Sequence, residues 1–243
     1  ELTIDGLEAE TEYSFTIKAT DKEGNSSKEQ SQTVKTLKES ASQPTSIPDL
    51  KTGYGEITEL YTKGENKNGY RWDSWNSSAV GRDIEIGNDK AFLIEGFTYY
   101  GSVFTPVDGT GMTLHVDVYP LQDIDLGIIP VTNDGVSNVD RYGQTFSLKR
   151  GEWHELELTL NDFKDNLSLK DLYQIKYVKQ ASIDGTGGVV EADGDNSFYI
   201  GNVYLYNKAA DDGKAPVITY ADTNTTTVAS ASFRLRATDE TEE

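Results

Sequence analysis

Apolar and polar residues alternate one for one along most of the chain. The runs include Tyr13-Ser14-Phe15-Thr16-Ile17-Lys18-Ala19, Leu114-His115-Val116-Asp117-Val118, Leu156-Glu157-Leu158-Thr159-Leu160 and Phe198-Tyr199-Ile200-Gly201-Asn202-Val203-Tyr204-Leu205-Tyr206. A two-residue period puts one set of side chains on the buried face of a β-strand and the other on the exposed face. Clusters such as Asn133-Asp134-Gly135 and Asp184-Gly185-Thr186-Gly187-Gly188 separate the runs as turns. Many short strands between turn signals predict an all-β chain built on a β-sandwich. Helical spacing is confined to Asn161–Leu172, where Asp162 or Ser168 is expected to cap a short helix with Leu167, Leu169 and Leu172 facing the core.

Two stretches lack any apolar period and read as linkers. Lys38 to Pro48 is rich in Ser and Pro, and Lys208 to Pro216 is small and polar. They divide the chain into a head at 1–37, a linker at 38–52, a body at 53–208, a linker at 209–216 and a tail at 217–243. The chain begins at Glu1 and its one Met is Met112, as expected of a processed chain or a piece of a larger one.

Composition then removes whole classes of chemistry. No Cys means no disulfide framework, no thiol nucleophile and no Cys-based zinc site. With 41 acidic and 22 basic residues the net charge is −19, which argues against nucleic acid as a partner. The acidic excess is spread over head, body and tail, so it reads as a solvated surface. No apolar run approaches the ~20 residues of a membrane helix, so no membrane insertion is expected of this segment. Nothing in the sequence marks a subunit interface, and a monomer is the default expectation.

The head carries Leu7, Thr11 and Tyr13 at the spacing Leu-x3-Thr-x-Tyr, followed by Ala19-Thr20-Asp21 and a Gly24-Asn25 turn. It resembles the last strands of a fibronectin type III domain, in which Tyr13 would bond back to upstream backbone as a tyrosine corner. The tail, with Ala215-Pro216-Val217-Ile218-Thr219 and then Val228 to Ala237, resembles the start of the same kind of domain. Neither piece is long enough to bury a core alone, so exposed strand edges are expected at both ends.

The body contains all three Trp. Its Gly96-Phe97-Thr98-Tyr99-Tyr100-Gly101, Met112 to Pro120, Gly151-Glu152-Trp153 to Phe163, Leu172 to Tyr177 and Phe198 to Tyr206 segments resemble, in order and spacing, a galactose-binding-like jelly-roll module of secreted and surface bacterial proteins. The resemblance implies a jelly-roll β-sandwich, a secreted or cell-surface location, and non-catalytic binding of a polysaccharide or other glycan. A structural spacer without a ligand, or an accessory to a glycoside hydrolase whose catalytic domain lies elsewhere, are the alternatives. Related jelly rolls often hold a structural calcium. Their closing strand usually carries Asp before Asn, whereas Gly201 precedes Asn202 here, which removes a hard oxygen ligand. No cofactor is therefore required, and calcium stays an open alternative.

Sugar rings offer apolar C–H faces and polar edges, so a site needs exposed aromatic planes beside hydrogen-bonding side chains. The turn-rich segment Gly69-Tyr70-Arg71-Trp72-Asp73-Ser74-Trp75-Asn76 supplies both. Tyr70, Arg71, Trp72, Asp73 and Trp75 are candidate ligand contacts, weighed against a loop that simply folds onto the sandwich. Tyr99 and Tyr100 are adjacent and face opposite sides of a strand, so one of them can look outward and both are candidates. Trp153 and the group Tyr199, Tyr204 and Tyr206 are expected in the core. His115 and Asp117 share a strand face, most simply as a hydrogen-bonded structural pair. Asp193-Gly194-Asp195-Asn196 and Asp123-Ile124-Asp125 read as turn chemistry ahead of calcium loops. Asp83 with Glu85 and Glu155 with Glu157 share strand faces, but such pairs arise by chance among so many acids, and no catalytic motif accompanies them.

Overall fold

The alternating runs form strands wherever a turn cluster lets the chain reverse. The computed structural model describes residues 3–4, 6–9, 11–36, 40–51, 55–133, 135 and 137–207, with the backbone of 217–220 and 235–238. In chain order the strands are β1 (Glu12–Ile17), β2 (Gln30–Lys35), β3 (Ile57–Thr62), β4 (Glu65–Asn66), β5 (Arg71–Asp73), β6 (Val80–Ile86), β7 (Asp89–Glu95), β8 (Tyr100–Val107) and β9 (Met112–Pro120). They continue as β10 (Ile124–Asn133), β11 (Asn138–Val139), β12 (Gln144–Leu148), β13 (His154–Thr159), β14 (Leu172–Val178), β15 (Phe198–Asn207), β16 (Val217–Tyr220) and β17 (Leu235–Thr238).

The body is a jelly-roll β-sandwich of two antiparallel sheets. The first runs β11–β10–β14–β8–β5, with β12 beside β10. The second runs β13–β9–β15, with β3, β4, β7 and β6 beyond β15. The chain passes repeatedly from one sheet to the other, so sequence neighbours such as β8 and β9, or β14 and β15, lie in different layers. Inward residues of both layers interdigitate. Leu114, Val116 and Val118 of β9 with Ile200, Val203 and Leu205 of β15 meet Leu126 and Ile128 of β10 and Ile175 and Tyr177 of β14. An aromatic cluster closes one side of this core, where Trp72 stacks on Phe92 at 4.0 Å between ring centroids, with Tyr61 and Tyr70 edge-on to it. The expected short helix is two 3-10 turns, Leu160–Phe163 and Leu169–Asp171, without a side-chain cap. Leu167, Leu169 and Leu172 are buried as expected.

The strands β9 and β15 are buried on both faces, which alternation alone does not predict. The second cover is the Ser- and Pro-rich stretch, which read as a linker. Residues 40–51 lie as a strap along the outer face of the second sheet. Ala41 N–H donates to the Leu121 carbonyl, the Tyr119 hydroxyl to the Ser42 carbonyl, the Trp153 indole N–H to the Ser46 carbonyl, and the Asn202 amide to the Pro48 carbonyl. Proline supplies no N–H to satisfy, and the strap's carbonyls find donors among the sheet's side chains. Ile47 is buried against Tyr119, Tyr199 and Ile86, with Trp153 at its edge. Burial of one such side chain contributes about 1.5–3 kcal/mol. At the far end Lys51 bridges Glu155 and Glu157 at 2.8 and 2.7 Å.

Under the strap sits a buried polar group. His115 Nε2 is 2.9 Å from Asp117 Oδ1, and the Asn202 amide donates to Asp117 Oδ2 at 2.6 Å. The His115 ring stacks on Tyr204 at 4.4 Å. The expected structural pair of His115 and Asp117 is thus in place. Trp153 differs from expectation, lying on this outer face under the strap and not between the sheets.

At the head, β1 and β2 form an isolated hairpin. Tyr13 makes its upstream contact, its hydroxyl oxygen accepting the Glu8 N–H at 2.9 Å. One face of the hairpin holds Tyr13, Phe15, Ile17 and Val34, with Ile17 and Val34 exposed. The tail strands β16 and β17 pair with each other, and the linker at 209–216 lies outside the described residues.

Two predictions follow from this packing. Trp72→Ala removes the centre of the aromatic cluster and should cost about 3–5 kcal/mol in urea unfolding; a cost under about 1 kcal/mol would contradict its core placement. The Glu157 carboxyl is pushed up by burial, but hydrogen bonds from Lys51 and Tyr206 and the Lys51 charge outweigh this and hold it below its ordinary range. A carboxyl lowered in the folded state stabilises above its unfolded pKa and loses that contribution as pH falls through the folded value. Near-UV circular dichroism from about pH 6 to about pH 3 should therefore report loosening around Trp153 before the far-UV sheet signal changes. In Lys51→Ala the near-UV change should be present already at neutral pH.

Candidate functional site

The outer face of the first sheet is built differently from the strapped face. The side chains of Arg71 and Asp73 on β5, Val103 on β8 and Gln174 and Lys176 on β14 share this face by register. Ile129, Val131, Val178 and Ala181 form an apolar floor, against which Tyr99, Tyr173 and Val189 pack. Two recesses open on it. One, of about 320 Å³, is lined by Trp75, Tyr99, Val131, Asn138, Asp140, Gln174, Lys176 and Glu191. The other, of about 340 Å³, is lined by Gly69, Arg71, Val103, Phe104, Thr105, Tyr173 and Gln174. Gln174 borders both, so the two recesses are neighbours along a groove-like face of β14 and β8. Each is the size of a small-ligand site.

Trp75 is fixed in this groove by its backbone. The turn Ser74–Ser77 closes with a Ser77 N–H to Ser74 carbonyl bond at 2.8 Å, and its central residues Trp75 and Asn76 have φ of 44° and 65°. Asn tolerates the left-handed region, but a bulky residue there is strained. Two bonds hold it: the Trp75 N–H donates to Asp73 Oδ1 at 2.9 Å, and the Tyr99 hydroxyl donates to the Trp75 carbonyl at 2.8 Å. The Ser77 hydroxyl in turn donates to the Tyr99 carbonyl at 2.8 Å, tying the turn to the edge of β8. The indole lies against Gly101 of β8. A Cβ at 101 would be 2.3 Å from the indole ring and 2.6 Å from the Ile175 carbonyl oxygen, so only glycine lets both approach. Beside it Lys176 Nζ lies 5.7 Å from the Tyr99 ring centre and 3.5 Å from Asp140.

Of the seven candidate residues, Arg71, Asp73, Trp75 and Tyr99 belong to this face. Tyr70, Trp72 and Tyr100 do not: they point between the sheets and are corrected to core residues. The reason is register. Trp72 pairs with Ser102 on β8 and therefore faces inward between two outward neighbours, while Tyr100 sits opposite the inward Tyr177. Burial pushes the Tyr70 and Tyr100 hydroxyls above the ordinary phenol value. Sequence reading missed Gln174, Lys176, Tyr173, Asp140, Asn138 and Glu191. Gln174 and Lys176 occupy polar positions of an alternating strand, which marks them as outward, but nothing local says that β14 lies beside β8.

On the opposite face, Gly201 stands where related jelly rolls carry an Asp. Gly201 leaves room for the strap, since a Cβ there would be 2.8 Å from Ile47 and 3.0 Å from the Trp153 ring. The Asp117 carboxylate is engaged by His115 and by the N–H donors of Asn202, so this set does not fit a calcium ion. Among the described residues no group of three or more His, Asp or Glu converges as a metal site. Asp193 accepts the Asp195 N–H, and Asp123 accepts the Arg150 N–H and the Lys149 amine.

No family model and no curated protein matches the chain. Solved structures that it resembles include carbohydrate-binding modules. One is a family 11 carbohydrate-binding module from Clostridium thermocellum, in complex with a β-1,3-1,4-mixed-linked tetrasaccharide, at 15% identity and a TM-score of 0.40 over 62% of this chain and 95% of that one. A variant of a family 29 carbohydrate-binding module aligns at 16% identity and a TM-score of 0.42, covering 65% of this chain and 95% of that one. The family 11 module of a cellulosomal cellulase of Clostridium thermocellum aligns at 16% and 0.41, covering 64% and 96%. Similarity this low leaves function to the chain's own residues.

Tyr99→Phe removes one of the two bonds that hold the Trp75 turn. The expected cost to global stability is about 1 kcal/mol, while acrylamide quenching of tryptophan fluorescence should rise. That rise should vanish when the substitution is made in a Trp75→Phe chain. Unchanged quenching would show that the hydroxyl does not hold the turn.

Proposed function

We propose that the groove on the first sheet binds a glycan without catalysis, laying a polysaccharide across β14 and β8 from Trp75 and Tyr99 towards Arg71 and Tyr173. The observation that carries this reading is the placement of Trp75. A strained turn, two hydrogen bonds and a glycine seat together hold a half-buried indole against β8 at the rim of a groove. Backbone strain of this kind concentrates at functional sites. Around the indole stand the groups that bond sugar hydroxyls: Gln174, Asn138, Asp140, Glu191 and Lys176 in one recess and Arg71 in the next.

Binding without chemistry suits the same residues. A glycosidase needs a free pair of carboxylates flanking the scissile bond, whereas Asp140 here is paired with Lys176. The setting that accords with such a module is a secreted or bacterial cell-surface protein, with fibronectin type III pieces at 1–37 and 217–243. No helix among the described residues is long and apolar enough to cross a membrane. Affinity per site would be weak and raised by repetition in a parent protein.

Affinity electrophoresis of the full chain in gels containing soluble β-glucans, mannans, xylans or galactans tests the reading. At least one polymer should retard the chain, and Trp75→Ala should weaken that retardation by about tenfold or more while far-UV circular dichroism shows the chain still folded. Retardation by none of the polymers, or retardation unchanged in Trp75→Ala, would overturn it.

A further inference from the structure

The strap does more than cover the second sheet, because its two ends lie at opposite poles of the body. It starts where Ala41 bonds to Leu121, just beyond the C-terminal end of β9, with the Ser40 hydroxyl accepting from Gln122. It finishes where Gly55 N–H donates to the Asn207 carbonyl and Asn207 N–H to the Glu56 carbonyl, at the end of β15 that pairs with Met112, the start of β9. Between these points runs the nine-residue length of β9, about 30 Å. The chain therefore leaves the body at Asn207, beside the point at which it enters the sheets at Gly55.

Without the strap, the head and the tail would both be tethered at that one pole. With it, the head is carried to the other. We propose that residues 40–51 are a docked strap that makes the body an in-line element: the N-terminal neighbour is held at the Leu121 pole and the C-terminal one leaves from the Asn207 pole. The contacts are distributed along the whole path, with Ser42 on Tyr119, Ser46 on Trp153, Ile47 over Gly201, Pro48 on Asn202, and Lys51 on Glu155 and Glu157. A pull on the head loads these contacts together, in shear along the sheet, and their release would lengthen the tether. The strap lies on the face opposite the groove, so the groove stays clear of the tether. This inference does not rest on the glycan-binding reading.

The absence of Cys allows a direct test in the full chain. Donor and acceptor dyes are placed on exposed positions as Lys35→Cys with Glu152→Cys, near the Leu121 pole, or as Lys35→Cys with Glu56→Cys, near the Asn207 pole. With the strap docked, energy transfer should be higher for the 35–152 pair than for the 35–56 pair. Ile47→Asp removes the apolar anchor and should reverse that order and broaden both distributions, because a released tether samples a random-coil range from Gly55. Gly201→Ala, whose Cβ pushes Ile47 from beneath, should act in the same direction and serves if Ile47→Asp impairs folding. Equal transfer for the two pairs in the parent chain, or no change in either pair in both variants, would overturn the proposal.

Discussion

Polar side chains on a strand that is covered on both faces must find partners inside the protein, because water cannot reach them. The neighbouring strands β9 and β15 are in that position. Their inward Leu and Val side chains build the sandwich core, while His115, Asp117, Asn202 and Tyr204 point the other way and are also buried. Asp117 receives both His115 and Asn202, and the strap supplies a carbonyl to Asn202 and an apolar plug over Gly201, while His115 Nδ1, the Asn202 amide oxygen and the Tyr204 hydroxyl are left without a hydrogen bond among the described residues. The second sheet is therefore a three-layer structure at its centre: core, sheet and strap. Removing the strap would leave a polar pair and an aromatic group on a bare sheet.

The two outer faces of the sandwich are used differently. One outer face is spent on internal packing by the strap. The other keeps its polar residues wet and gathers Trp75, Tyr99, Gln174 and Lys176 around a groove. Glycine serves both faces in the same way. Gly201 admits the strap to the sheet, and Gly101 admits the indole of Trp75 to it, each by lacking the Cβ that would stand in the way. The pair Tyr99 and Tyr100 shows the division within two residues, one reaching out to hold the Trp75 turn and the next buried against Phe92 and Trp72.

The groove is assembled from parts far apart along the chain. The Trp75 turn precedes β6, Tyr99 precedes β8, Asp140 follows β11, and Lys176 lies on β14. Their meeting depends on the order β11–β10–β14–β8–β5, which brings β14 between β8 and β10. Such an order follows from long-range pairing and leaves no local trace. The aromatic loop was legible as unusual, and three of its five candidates, Arg71, Asp73 and Trp75, lie on the groove's face together with Tyr99. Which aromatics would turn inward was not legible, because that depends on a three-residue strand pairing with β8.

The sequence by itself determined the strand class, the inward faces of β9 and β13, the pairing of His115 with Asp117, and the division of Tyr99 from Tyr100, since a period of two needs only neighbouring residues to be read; in β15 the period breaks between Ile200 and Val203, and Tyr199 and Tyr204 face outward under the strap. The tertiary structure alone decided three matters: that Trp72 and Tyr70 belong to the core, that β14 completes the groove, and that residues 40–51 are docked. A Ser- and Pro-rich segment with one Ile carries too little apolar surface to announce burial. Its place is set by carbonyls that meet Tyr119, Trp153 and Asn202 from distant strands, and those donors come together only once the sheet has formed.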